Sequence, residues 1–160
     1  MGSRSLGAAS ALVDRYLQLC EDRRLDEAGA LLAPGARLVF PGKRVYATLP
    51  EMVAASAGRY RWVRKERERY FEGTTNGGAN SGANGAGDGD GSADGGGALT
   101  VTSLGTLYGE DPAGRPFSGV RYVDVFVLRD GLIAEQHVYN DLAVAGIGAA
   151  PAAEEPGTPA

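Results

Sequence analysis

A single acidic residue interrupts the most apolar stretch of this chain. Asp124 lies between Val123 and Val125, and Phe126 comes next after Val125. A lone carboxyl group among apolar side chains costs free energy unless it finds a partner or keeps its proton. We therefore expect Asp124 to be buried, to have a raised pKa and to face a pocket. The alternative is that it pairs with Arg121 or with a backbone amide.

Two other side chains have the chemistry of proton donors or acceptors. Tyr16 falls on the apolar stripe of the first predicted helix, where its hydroxyl either faces a cavity or binds a core carbonyl group. His137 is the only histidine, and its ring is the one side chain whose ordinary pKa lies near neutral pH. Both are therefore candidates for a site that also contains Asp124.

Helical patterns come first in the chain and strand patterns follow. The spacing of apolar residues predicts helices over 6–24 and 26–32, with Asp26 as an N-cap, and Thr48 with Glu51 fits a capping box for a third helix. Strands are predicted over 37–40, 60–71, 99–108, 117–129 and 132–142, the last two joined by Asp130-Gly131. This order predicts an α+β fold.

One domain, residues 6–144, is predicted, with a glycine-rich insertion at 74–97 and a tail at 145–160. The insertion has no aromatic or branched aliphatic residue, so we expect it to be a disordered loop, and the tail has a similar composition. Residues 88–95 are similar to the start of a calcium loop, but Ala93 replaces its turn glycine and Leu99 its final glutamate. We therefore expect no metal and no cofactor.

Charge and composition exclude several classes of function. The formal net charge is -4, which argues against a nucleic-acid-binding protein, and no apolar run reaches the length of a membrane span. Residues 59–69 contain six Lys or Arg residues interleaved with two Glu, a pattern typical of a solvated strand with cross-strand ion pairs. Cys20 is the only cysteine, so a reducing cytoplasm is the expected compartment.

The order of elements, together with the C-terminal segment VDVFVLRDGLIAEQHVYND, resembles the nuclear transport factor 2-like superfamily, which includes SnoaL-like polyketide cyclases and ketosteroid isomerases. The resemblance covers residues 6–144 apart from the glycine-rich insertion. It implies a cone-like, curved, mixed sheet packed on three N-terminal helices around an interior pocket. Such a pocket would hold a small hydrophobic organic ligand.

Comparison with ketosteroid isomerases implies roles for three residues. Tyr16 and Asp124 match the positions of the two groups that donate hydrogen bonds to the substrate oxygen in that family. The base of the family is an aspartate just before a proline after the first short strand, and here Phe40 precedes Pro41. The resemblance therefore implies the donor half of an isomerase site without its base.

The register of the family implies which side chains line the pocket. The predicted lining residues are Tyr16, Phe40, Tyr122, Asp124, Phe126, Gln136, Val138 and Asn140. The same register turns His137 and Tyr139 to the outer face of the sheet, beside apolar residues such as Val123 and Val125. An exposed patch of that kind predicts a homodimer.

Two kinds of function are consistent with these features. One is an isomerase, cyclase or dehydratase that acts on a hydrophobic carbonyl or polyketide-like ligand, with Tyr16 and Asp124 stabilising an enol or enolate. The other is a non-catalytic module with the same fold, used for ligand binding or for dimeric assembly. The sequence leaves both open because Phe40 stands where a base is needed; His137 is the next candidate for that base.

Overall fold

Three helices and six strands form the part of the chain that the computed structural model describes, residues 7–75 and 98–148. The helices are α1 (Ala8–Glu21), α2 (Leu25–Gly29) and α3 (Leu49–Ser56). The strands are β1 (Leu32–Phe40), β2 (Arg44–Tyr46), β3 (Trp62–Thr74), β4 (Leu99–Glu110), β5 (Pro116–Arg129) and β6 (Leu132–Asn140). None of these helices is long and apolar enough to cross a membrane.

The strands form one curved sheet in the order β2-β1-β6-β5-β4-β3. Strands β1 and β6 are parallel, and the other neighbours are antiparallel. Side chains of α1 pack on the inner face of this sheet and form the main core with residues of β1, β4, β5 and β6. The predicted α+β class with a mixed sheet is confirmed.

Two details of the N-terminal half differ from the sequence pattern. Strand β1 begins at Leu32 rather than at residue 37, and its register shifts between Leu32 and Arg37, around Pro34-Gly35. The three-residue strand β2 has no sequence signal of its own, because a strand this short shows no alternation. It forms because it pairs with the end of β1 in a tight hairpin.

The starts of two helices test the predicted caps. Thr48 caps α3 as expected: its Oγ1 accepts a hydrogen bond from the Glu51 N–H at 3.3 Å, and the Glu51 carboxylate accepts one from the Ala47 N–H at 3.1 Å. The prediction for Asp26 is wrong, since the N-cap of α2 is Arg24 and makes no side-chain cap bond. Asp26 lies in the first turn instead, where a negative charge is favoured by the helix dipole.

The hairpin at Asp130-Gly131 joins β5 and β6. Both residues have positive φ, 52° and 76°, as the two central positions of a type I′ turn require. Next to the turn Leu128 pairs with Ile133, and a register shift between Leu128 and Val127 then pairs Phe126 with Gln136 and Asp124 with Val138. Because these pairs share one face, the turn and the register shift together place Asp124 and Gln136 on the inner face of the sheet.

The packed part of the chain extends past the predicted domain end at residue 144. Ile147 is buried against Leu107, Val120 and Tyr122, and its N–H donates to the Leu142 carbonyl at 2.8 Å. The rest of the predicted tail, almost all of the glycine-rich insertion and the calcium-like segment at 88–95 lie outside the described residues.

Candidate functional site

A cavity of about 510 Å³ lies between the C-terminal end of α1 and strands β3 and β4. Its walls are largely apolar, and the polar groups among them come from α1, β3 and β6. The lining residues at its inner end include Tyr16, Leu17, Cys20, Phe40, Met52, Lys65, Leu107 and Gln136. An apolar cavity with a few polar groups is typical of sites for small organic molecules.

Asp124 is fully buried and forms an ion pair with Lys65. The Lys65 Nζ lies 2.8 Å from the Asp124 Oδ2, and the Lys65 side chain is 17% exposed against 0% for Asp124. Apart from this ion pair, neither carboxylate oxygen accepts a hydrogen bond from the described residues. The expected burial of Asp124 is therefore observed, but its partner is Lys65 rather than Arg121, which pairs with Asp141.

The two charges act on each other's protonation. Desolvation raises the pKa of Asp124 above its ordinary value, and the charge of Lys65 opposes part of that rise. Burial alone would lower the pKa of the Lys65 ammonium, but the attraction of Asp124 outweighs it and raises that pKa. Lys65 is consequently a hydrogen-bond-donating cation at neutral pH and not a base or nucleophile.

Tyr16 provides a neutral donor in the same cavity. Its hydroxyl donates to the Gln136 Oε1 at 2.9 Å, and its ring meets that of Phe126 edge-on, with centroids 5.9 Å apart. Desolvation raises the pKa of the Tyr16 phenol well above its usual value, and contact with Cys20 adds to the effect. Tyr16 therefore keeps its proton and can donate it in a hydrogen bond to a ligand.

The ring of Tyr122 lies beside the Lys65 ammonium. Lys65 Nζ is 4.6 Å from the centroid of that ring, within the range of a cation–π contact, and the Tyr122 hydroxyl is hydrogen-bonded to the Ser103 hydroxyl at 3.0 Å. The ammonium is thus held by a carboxylate and by an aromatic face. These contacts stabilise the charged form of Lys65 at the wall of the cavity.

A second ion-pair network fastens α1 to β3. The Arg67 guanidinium contacts Asp14 at 2.9 Å and Glu21 at 3.0 Å, and it donates to the Gln18 Oε1 at 2.7 Å. The Tyr70 hydroxyl donates to Asp14 at 2.7 Å. Because Tyr16 is on this helix and Lys65 on this strand, the network holds the two sides of the cavity together.

Only part of the predicted lining meets at this cavity. Tyr16, Phe40 and Gln136 line it, whereas Asp124 and Tyr122 lie behind Lys65 and Phe126 packs behind Tyr16. Val138 and Asn140 do not line it; both border a separate groove of about 980 Å³, and Asn140 accepts a hydrogen bond from the Leu142 N–H. The reason is that the cavity extends toward β3 and β4 instead of along β6.

Lys65 is the residue that the sequence pattern missed. The interpretation of residues 59–69 as a solvated strand with cross-strand ion pairs is wrong for Lys65 and Arg67, which alternate to the inner face and pair with β5 and α1. Because β3 has basic residues on both faces, its sequence does not reveal which of them face inward. One feature of the sequence could have identified Lys65: an unpaired buried Asp124 requires a cation on the same face of a nearby strand.

His137 is on the outer face of the sheet. It lies opposite Val125 in the register and 4.0 Å from the Glu135 carboxylate, and it borders the groove of the outer face rather than the inner cavity. Glu21 is the only carboxylate in the described part of the chain that lines the inner cavity, and it accepts hydrogen bonds from Arg67 and from the Lys65 N–H. Within the described residues, therefore, no uncommitted carboxylate or imidazole faces the cavity.

Comparison with known proteins places the fold. No family model and no curated protein sequence matches the chain. The structure is similar to that of TerC co-crystallized with polyporic acid (TM-score 0.64, 14% identity), over 89% of this chain and 98% of that one. It is also similar to a candidate SnoaL-like polyketide cyclase from Jannaschia sp. CCS1 (TM-score 0.61, 19% identity), over 94% and 100% of the two chains.

A third similar structure is an NTF2-like protein of unknown function from Burkholderia pseudomallei K96243, with a TM-score of 0.61 and 15% identity over 88% of this chain and 95% of that one. At such identities the likeness is one of fold and carries no activity with it. The resemblance found in the sequence is confirmed at that level: the chain has the nuclear transport factor 2-like fold, in the form that SnoaL-like proteins share.

Proposed function

We propose that the inner cavity binds a small, hydrophobic, planar carbonyl or polyketide-like compound and that Lys65 and Tyr16 stabilise its oxygen as an enolate or phenolate. The observation that carries this proposal is Lys65, which lines an otherwise largely apolar cavity and whose ammonium pairs with the buried Asp124. A cation in such a place attracts a negative charge on a ligand oxygen more strongly than it does in water.

The two donors differ in what they contribute. Lys65 supplies charge, and Tyr16 supplies a neutral hydroxyl that a ligand oxygen would take over from Gln136. In this proposal the direct donor role that the resemblance implied for Asp124 passes to Lys65. Asp124 acts as a positioning residue, because its charge holds the ammonium in place and keeps it protonated.

The cavity favours stabilisation of an enolate over proton abstraction. Phe40 lines the wall, and Glu21 is engaged by Arg67 and by a backbone N–H. An isomerase, cyclase or dehydratase of this kind would act on a ligand acidic enough to lose its proton without a strong protein base. The second candidate, a non-catalytic ligand-binding module, uses the same contacts and is favoured by Phe40. TerC was co-crystallized with an acid, and we propose an acidic organic ligand here too.

The test is a spectrophotometric titration with danthron, a planar dihydroxyanthraquinone that changes colour when it loses a proton. We expect the bound dye to ionise at a lower pH than the free dye, because Lys65 stabilises its anion. Loss of a hydrogen bond to a charged group should weaken binding of the anion about tenfold to hundredfold in the double variant Lys65→Met/Asp124→Leu. Tyr16→Phe, which loses a neutral donor, should have a smaller effect.

Lys43→Met is the matched control, since Lys43 is exposed and is the one other lysine of the chain. This variant should bind the dye anion like the native protein. Danthron that binds the native protein with an unchanged pKa, or that binds the double variant equally well, would show that Lys65 does not stabilise the anion.

We also propose that the outer face of the sheet forms a homodimer interface. Tyr139 is 63% exposed there, beside the half-buried Val123, Val125 and His137. We expect light scattering to give the mass of a dimer at micromolar concentration, and Tyr139→Arg to shift it toward the monomer, because a charge on this face opposes its burial. Val144→Arg, a change at an exposed residue after the last strand, should leave the dimer intact; a native monomer would refute the proposal.

A further inference from the structure

The mouth of the inner cavity has an excess of positive charge. Arg23 and Arg61 both border it and are exposed, and neither forms an ion pair or a side-chain hydrogen bond with any residue in 7–75 or 98–148. The Glu21 carboxylate at the cavity already forms an ion pair with Arg67 at 3.0 Å. Two free guanidinium groups at one opening are notable in a chain whose formal net charge is -4.

Each arginine adjoins an element that lines the cavity. Arg23 follows α1 in the left-handed conformation, with a φ of 59°. Arg61 immediately precedes β3, and its guanidinium lies across Gly114, where a Cβ atom would come within 2.9 Å of it.

Arg61 borders the cavity from the segment just before β3. Val63 and Lys65 are two residues apart within β3, so their side chains share the inner face, and both line the cavity. Arg64 also borders the cavity, but alternation turns its side chain to the other face. The cavity thus has a cation at its inner end, Lys65, and two at its mouth.

We infer that the natural ligand carries a second anionic group, a carboxylate or a phosphate monoester, which stays between Arg23 and Arg61 while the planar body reaches Lys65. Guanidinium groups form charge-assisted, often bidentate hydrogen bonds with both kinds of anion. This inference rests on the proposed function and narrows its substrate class.

The experiment compares three dyes with one anthraquinone body: rhein, which bears a carboxylate, aloe-emodin, which bears a hydroxymethyl group, and the phosphate monoester of aloe-emodin. Exposed ion pairs contribute little singly, so we expect the better anionic dye to bind the native protein about tenfold more tightly than aloe-emodin, with each arginine accounting for about threefold. This advantage should shrink as ionic strength rises. Whether rhein or the phosphate binds more tightly identifies the anion.

Arg23→Gly and Arg61→Gln should each reduce the advantage of the anionic dye and leave the affinity for aloe-emodin unchanged. Glycine suits the positive φ at residue 23, so Arg23→Gly removes the charge without a loss of stability. Arg129→Gln is the matched control, because Arg129 is exposed, makes no ion pair within the described residues and lies away from the cavity.

The outcomes separate this inference from the proposed function. Equal affinities for aloe-emodin and both anionic dyes would overturn the inference but not the proposed function of the cavity. An advantage that survives both arginine substitutions would also overturn it. Failure of every dye to bind would overturn the proposed function and the inference together.

Discussion

Replacing Lys65 with methionine should lower the free energy of unfolding by about 3–5 kcal/mol, the cost of leaving one charge of a buried pair without its partner. Asp124 would remain fully buried, and no other cation among the described residues contacts it. Urea denaturation at neutral pH measures the loss. The exposed Lys43 provides the control, and Lys43→Met should change the stability by no more than about 0.5 kcal/mol.

A second substitution should reverse most of this loss. In Lys65→Met/Asp124→Leu both charges are gone, and apolar side chains of similar size replace a buried ion pair at little net cost. We therefore expect the double variant to be close to the native protein in stability and the single variant to be far below it. Equal stability of the single and the double variants would contradict the ion pair.

The pH dependence of the single variant follows from the direction of the pKa shift. Without the charge of Lys65, desolvation raises the pKa of Asp124 further above its ordinary value. An acid with a higher pKa in the folded than in the unfolded state binds protons preferentially when folded, so its folded state gains stability as pH falls. The deficit of Lys65→Met should therefore shrink as pH is lowered from neutral toward the ordinary range of aspartate, and a deficit independent of pH would exclude this cause.

Conversion of Phe40 to aspartate should create steroid isomerase activity. The native protein should isomerise a 3-oxo-Δ5-steroid negligibly, because no free carboxylate among the described residues faces the cavity. General base catalysis contributes about 10²–10⁴-fold in rate, so Phe40→Asp should raise turnover by that order. Phe40 lines the cavity, packs at the edge of the main core and meets Tyr46 edge-on, with ring centroids 5.6 Å apart.

Phe40→Asn is the matched control for this experiment. Asparagine has the same shape as aspartate but takes no proton, so its variant should stay at the native background. Equal activity of the two variants would show that the gain comes from the smaller side chain and not from a base. Efficient turnover by the native protein would mean that a base reaches the cavity from elsewhere, and His137 would have to leave the outer face to provide it.

Local signals in the sequence determined the elements that carry the site. The pair Thr48 and Glu51 predicted the start of α3, and Asp130-Gly131 predicted the hairpin that joins β5 and β6. Such features depend on residues a few positions apart, where backbone sterics and short hydrogen bonds decide the conformation. The α+β class and the burial of Asp124 followed from them.

Only the tertiary structure decided which groups meet. Lys65 and Asp124 are on β3 and β5, separated by β4, and the alternation of a strand with basic residues on both faces does not reveal which one reaches across. The position of the cavity, which leaves Val138 and Asn140 outside and brings in Arg23 and Arg61, depends on how α1 lies on the curved sheet. A residue's type and local spacing tell what it can do, but burial and charge pairing arise between distant segments, and those conditions assign the chemistry to Lys65.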